Sequence, residues 1–194
     1  MRALVVYCHP YPESLVHAAL ERVLAGLAAG GHDVRLTDLY ADGFDPAMSA
    51  VERAAHSEPT VSPELQRYAD DLAWAEALVL VYPTWWAGQP AMLKGWIDRV
   101  WTAGVAWELP EGASVLRPLL TNVRRIVVVT THGSSKWINA LEGEGGKRTA
   151  FRSIRLMCSK RTRTTWCALY GVDRGDPARN AAWLDRVERT LARL

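Results

Sequence analysis

Ala77-Leu-Val-Leu-Val-Tyr82, followed at once by Pro83-Thr84-Trp85-Trp86-Ala87-Gly88, is the stretch on which the fold turns. A continuous apolar run with no polar alternation suits a strand buried on both faces, as in a parallel sheet. The proline and glycine that bracket Thr84–Ala87 make the next segment a loop. On one side of this unit, Glu64–Ala75 reads as a polar-faced helix. On the other, Ala91–Trp101 reads as a helix with Leu93, Trp96, Ile97, Val100 and Trp101 on one stripe.

The same pattern recurs outward along the chain. Ala3–Tyr7 and Arg125–Thr131 are further buried-strand runs, and Asp33–Leu39 and Thr165–Tyr170 complete five strands. Ser14 is a plausible cap for a helix that runs through Leu15, Ala19, Val23, Leu24 and Leu27 and ends at Gly30-Gly31. Tyr40–Pro63 reads as loop, Phe151–Met157 as a short helix, and Pro177 opens a C-terminal helix. Strands alternating with helices imply a parallel sheet covered on both faces with right-handed crossovers. The expected fold class is therefore α/β: a flavodoxin-like three-layer sandwich whose five strands follow the order 2-1-3-4-5. No repeat, low-complexity tract or linker divides residues 1–194, so one domain is expected.

Composition narrows the function classes. Twenty-three Lys and Arg against 21 Asp and Glu give a net charge of +2, which argues against bulk nucleic-acid binding. No apolar run reaches the ~18–20 residues of a transmembrane helix. The start, MRALVVYCHP, lacks the core and cleavage site of a signal peptide. Cys8, Cys158 and Cys167 are odd in number and far apart, which reads as reduced thiols in a cytoplasmic protein with no zinc site. Nine tryptophans are many for 194 residues, and five of them fall between Trp85 and Trp107.

In such a sheet the loops after the first, third and fourth strands converge on one crevice. Here they are His9–Leu15, Pro83–Pro90 and His132–Trp137. The first offers His9, Ser14 and the free N–H groups of a helix start, which favour an anion; Ser14 reads equally as an ordinary cap. The third puts two large aromatics beyond a buried strand, a platform for a planar ring. Tandem tryptophans on a loop cannot easily both point inward, so at least one is expected to face the crevice. Trp96 and Trp101, on the helix stripe, are expected in the core or a dimer interface. The fourth loop supplies hydroxyls and backbone donors. No GxSxG elbow supports a hydrolase. Gly143–Thr149 imitates a P-loop but lacks Ser or Thr directly after Lys147 and follows no strand. Lys147–Arg163 holds seven basic residues and no acid, either a solvated face or a rim for dinucleotide phosphates.

Three segments carry a family resemblance. They are His9-Pro10-Tyr11-Pro12-Glu13-Ser14-Leu15, Asp38-Leu39-Tyr40-Ala41 with Phe44-Asp45-Pro46, and Tyr82-Pro83-Thr84-Trp85-Trp86 with Leu93-Lys94-Gly95-Trp96 and Asp98-Arg99-Val100. Together they resemble the NAD(P)H dehydrogenase (quinone) family, over about residues 3–107, with a looser match at Thr130–Gly133. The resemblance implies two-electron, ping-pong hydride transfer from NAD(P)H through the N5 atom of FAD, with FMN as the other option, to a quinone or similar small acceptor. It places His9, Ser14 and Leu15 around the phosphate-bearing chain of the cofactor. It places Pro83, Thr84, Trp85 and Trp86 along the flavin ring, and Thr130, Thr131 and Gly133 at its pyrimidine end. A homodimer is implied in part. The alternatives are a flavin-binding regulatory subunit of a potassium efflux system and a single-electron flavodoxin-type carrier.

The chain departs from the family pattern at three places. Val16 stands where the family's best-known members carry Asn, and His132-Gly133 stands for their Gly-Gly. Lys136–Gly146 contains neither the Tyr nor the His of the family loop; Trp137, Asn139 and Glu144 are the nearest residues. His132, or backbone N–H groups, are the expected replacement in charge stabilisation.

Overall fold

The computed structural model describes residues 1–194. In chain order the elements are β1 (Arg2–Tyr7), α1 (Leu15–Ala29), β2 (Asp33–Asp38), α2 (Ala50–Ala55), α3 (Gln66–Trp74), β3 (Ala77–Pro83) and α4 (Ala91–Val100). Then come β4 (Trp107–Glu108), β5 (Arg117–Pro118), β6 (Arg125–His132), α5 (Lys136–Leu141), α6 (Gly145–Arg148), β7 (Arg163–Tyr170) and α7 (Pro177–Leu191). The main sheet runs β2-β1-β3-β6-β7, parallel throughout. With the small β4–β5 hairpin left out of the numbering, this is the expected order 2-1-3-4-5.

β1, β3 and β6 each feed two cores, because successive side chains leave the sheet on opposite faces. Leu4, Val6, Leu78, Leu80, Ile126 and Val128 pack with Leu72, Leu93 and Trp96 from α3 and α4. Val5, Val79, Val81, Val127 and Val129 pack with Val23 and Leu27 of α1 and Val187 and Leu191 of α7. β3 sits between β1 and β6 and all its residues are buried, which is why its sequence shows no alternation. The α4 stripe is spent inside: Trp96 is fully buried and Trp101 is 7% exposed. Their place is the core and not a subunit interface.

Several local expectations change. Tyr40–Pro63 is not all loop. It holds α2, whose capping box joins the Ser49 hydroxyl to the Glu52 N–H and the Glu52 carboxylate to the Ser49 N–H. The helix expected over Glu64–Ala75 opens with a 3₁₀ turn at Pro63–Leu65. The loop expected over His132–Trp137 is shorter at both ends: His132 is the last residue of β6, and α5, capped by Ser135, begins at Lys136. Phe151–Met157 lies in a helical run that starts earlier, at Gly145, and widens to a π turn over Thr149–Ile154. That run opens at the Gly-Gly of the P-loop look-alike and follows α5, not a strand.

The Phe44–Pro46 excursion is clamped to α4. Arg99, buried beneath it, pairs with Glu52 at 2.6 Å and donates to the Asp45 carbonyl. This clamp brings two separate signature segments together.

Candidate active site

The carboxyl ends of β1, β3 and β6 lie side by side, so their loops meet. Thr84 N–H donates to the Thr131 carbonyl at 2.8 Å, tying the third loop to the fourth. The His9 ring lies 6.0 Å from the Trp85 ring, bringing the first loop alongside. Between the third and fourth loops is a cleft of about 410 Å³ lined by Thr84, Trp85, Trp86, His132, Gly133 and Ser134, with Asn139, Glu142 and Asp173 at its margin. That size is within the ordinary range of ligand sites.

The third loop is a tight hairpin. Trp85 and Gly88 exchange N–H···O bonds of 3.2 and 3.1 Å, and both central residues, Trp86 and Ala87, have positive φ, 48° and 59°. This is the backbone of a type I′ turn, which Asn-Gly adopts readily and Trp-Ala does not. The turn projects Trp86 wholly into solvent, while Trp85 is 43% exposed. Strain of this kind, held at a strand end, is commonly found at functional sites.

His132 is the last residue of β6 and is buried. Its register partner on β7 is Tyr170, and the two rings stack with centroids 4.5 Å apart at 18°. Nδ1 lies 2.7 Å from Asn139 Oδ1, and Nε2 lies 3.4 Å from Thr84 Oγ1. Thr84 Oγ1 is 3.0 Å from Thr130 Oγ1. Burial pushes the imidazole below its ordinary pKa, and the Asn139 bond and the Glu144 and Glu142 charges only partly oppose this. Behind the stack, Tyr170 donates to Glu144 Oε1 at 3.0 Å and Lys147 donates to Glu144 Oε2 at 2.8 Å. Burial works against the Glu144 carboxylate, but these two bonds hold its pKa below the usual range. Lys147 is the one basic residue of Lys147–Arg163 in an ion pair; the other six have no acid within 4.0 Å.

The expected residues separate into three groups. Thr84, Trp85, Trp86, His132 and Gly133 line the cleft. His9, Ser14 and Leu15 lie in the adjoining loop and at the start of α1, where Ser14 caps the helix by accepting from His17 N–H at 3.1 Å. Pro83, Thr130 and Thr131 are buried behind the cleft: Thr130 acts through Thr84, and Thr131 contributes its carbonyl. Tyr170 and Asp173 are additions that spacing does not reveal, because they come from β7 and the turn after it, whereas Asn139, one of the nearest residues named in the family-loop stretch, reaches His132 from α5.

The backbone N–H groups of Trp86, Ala87, Gly133 and Ser134 donate to no protein acceptor, nor do those of Leu15 and Val16 at the start of α1. The cleft thus offers free donors, an exposed aromatic platform and a helix N-terminus beside it. That donor set fits a planar heteroaromatic ring with oxygen substituents and a phosphate-bearing chain.

The family described as having the flavodoxin-like fold matches residues 1–182. An "Uncharacterized NAD(P)H oxidoreductase" of Haemophilus influenzae is 34% identical over 116 residues, covering 59% of this chain and 57% of that protein. NAD(P)H dehydrogenase [quinone] 1 of Rattus norvegicus is 30% identical over 162 residues, covering 75% of this chain and 58% of the relative. The chain thus matches somewhat more than half the length of these relatives. Among solved structures, an NAD(P)H:quinone oxidoreductase from Methanothermobacter marburgensis superposes with a TM-score of 0.83 at 27% identity, covering 99% of this chain and 98% of that one.

Proposed function

The chain belongs to the family with the flavodoxin-like fold, and we propose that it is an NAD(P)H-dependent flavin oxidoreductase acting on quinones or similar small acceptors. The observation that carries this is the cleft itself: its lining residues Trp86, Ala87, Gly133 and Ser134 have unpaired N–H groups, and a strained turn at its edge exposes Trp86. When bound, the flavin would supply two-electron hydride chemistry between the nicotinamide and the acceptor. The chain's own residues do the rest. Ser14 and the free N–H groups of Leu15 and Val16 hold the phosphate, aided by the α1 dipole. Trp85 and Trp86 orient the ring. Gly133 and Ser134 N–H groups, which have no protein acceptor, would receive the negative charge, and being fixed backbone they need no reorganisation. His132 serves as a neutral supporting group, since burial disfavours its charged form.

Donor and acceptor would use one open ring face in turn, which is the ping-pong order. A homodimer is part of the proposal, supported by Trp137 and Leu141, exposed at 70% and 67% on α5 next to the cleft. A reducing, cytoplasmic setting is supported by the three free, buried cysteines. No helix is long and apolar enough to cross a membrane.

The test is reconstitution with FAD and with FMN, chromatography of the retained flavin, and NADH and NADPH oxidation with a panel of quinones. Light scattering reads the oligomer. Retention of flavin with donor oxidation is the expected result. Protein that retains neither flavin overturns the proposal. Flavin-bearing protein that oxidises no nicotinamide selects the regulatory-subunit or single-electron alternative.

A further inference from the structure

The direction of each side-chain hydrogen bond around His132 follows from its neighbours. Asn139 Nδ2 faces two carbonyl oxygens, Ser134 O at 3.3 Å and Ser135 O at 2.9 Å. Only the amide NH₂ satisfies that position, so Oδ1 is the atom that meets His132 Nδ1. Oδ1 carries no proton, and Nδ1–H must donate. In the neutral ring Nε2 then carries a lone pair, and its partner, the Thr84 hydroxyl, must donate to it. Thr84 has one proton and has given it. The Thr130 hydroxyl therefore donates to Thr84 Oγ1. Thr84 Oγ1 is left with a free lone pair and no proton, at the wall of the cleft.

We propose that Thr84 is a specificity-determining residue, held as an obligate hydrogen-bond acceptor by a His132–Asn139 relay, and that it reads an N–H flanked by two carbonyls on the ligand. The N–H groups of Trp86, Ala87, Gly133 and Ser134, which have no protein acceptor, belong to residues that line the same cleft as Thr84. Donors around an acceptor complement the C2=O, N3–H, C4=O edge of an isoalloxazine, or of any cyclic imide. Asn139 and His132 are positioning residues that act through Thr84. The ligand named here rests on the flavin proposal, whereas the relay stands on the protein alone.

Two measurements test it. Long-range ¹H–¹⁵N spectra of the flavin-free protein should show His132 as the neutral Nδ1–H tautomer, retained in Thr84→Val and lost in Asn139→Ala. A wild-type Nε2–H tautomer overturns the relay, and so does an Asn139→Ala spectrum that keeps Nδ1–H; if Asn139→Ala does not fold, the wild-type and Thr84→Val spectra decide. In fluorescence titrations, riboflavin should bind about tenfold or more tightly than N3-methylriboflavin, the worth of one hydrogen bond. Thr84→Val should remove most of that difference. Equal binding of the two flavins, or a difference that survives Thr84→Val, overturns the role of Thr84. Binding of neither flavin overturns the flavin proposal and the ligand with it, while the spectra still judge the relay.

Discussion

Gly95 of α4 lies against Pro46 so closely that a Cβ at position 95 would stand 2.4 Å from both the Pro46 Cβ and the Pro46 carbonyl oxygen. Two signature segments nearly fifty residues apart are thus one contact. Pro46 is backbone-constrained and cannot yield cheaply. Gly95→Ala is expected to destabilise the fold by about 1–3 kcal/mol or more, as overpacking does. Urea denaturation of the variant beside the parent measures it; an unchanged midpoint contradicts the contact.

The same excursion is held by Arg99 and Glu52, whose side chains are 7% and 17% exposed. Removing Arg99 leaves a largely buried carboxylate without its partner, and Arg99→Leu should cost about 3–5 kcal/mol. The pair also predicts an acid dependence. Burial opposes the Glu52 carboxylate, but hydrogen bonds from Ser49 and Arg99 outweigh it and depress the pKa. A depressed carboxylate contributes stability that is complete above its unfolded value of about 4.3 and is lost as pH falls through the folded value. The stability gap between wild type and Glu52→Gln should therefore narrow as pH is lowered from 7 to about 3.

His9, His32 and His132 all have pKa values lowered first of all by burial. Each binds a proton more readily unfolded than folded. Their contribution is complete above the unfolded value of about 6.5 and declines as pH falls toward the folded values. Denaturation midpoints should drop between about pH 7 and pH 5, and His132→Gln should flatten part of that slope whatever it does to the absolute stability.

The Trp86-Ala87 turn separates stability from binding. Ala87→Gly removes a left-handed penalty of about 1–2 kcal/mol, less the entropy a glycine adds to the unfolded chain, so a net gain of up to about 1 kcal/mol is expected. Trp86→Ala removes a fully exposed side chain and should change stability by no more than about 0.5 kcal/mol. Its flavin affinity and acceptor turnover should fall. A Trp86→Ala protein that binds flavin as the wild type does would show that the turn is strained for some other reason.

Burial pushes the Cys8 and Cys158 thiols up to about 12 and raises Cys167 as well. A colorimetric disulfide reagent at neutral pH should find no reactive thiol in the native protein and three in urea.

Much of the molecule could be read from the chain. β1, β3 and β6 were legible because a central parallel strand has no solvent face, so runs such as Ala77–Tyr82 show unbroken apolar character, while the edge strand β2 was legible from the alternation of Asp33–Leu39. Ser14 and Gly30 marked the ends of α1 because caps are chosen by local backbone chemistry. The short elements were not legible. α2 and α5 are six residues each, too short for an apolar stripe, and α2 buries none of its residues. The β4–β5 pair has two residues a side and exists through its contacts. In the cleft, Thr84, Trp85 and Trp86 were visible because a loop after a buried strand must surface at the sheet's carboxyl edge. Tandem tryptophans on the loop were expected to turn at least one ring to the crevice; Trp85 and Trp86 both border it, with Trp86 fully exposed.

The polarity of the site lay outside the sequence. From the residues alone His132 was a cation or donor as readily as an acceptor. Its state depends on Asn139 reaching back from α5, on Tyr170 arriving in register from β7, and on Thr84 presented by β3. Periodicity and capping are properties of neighbours along the chain, so strand order and helix ends follow from it directly. The direction of a buried hydrogen bond depends on which donors and acceptors distant segments bring within about 3 Å, and that is settled when the sheet closes and its loops meet.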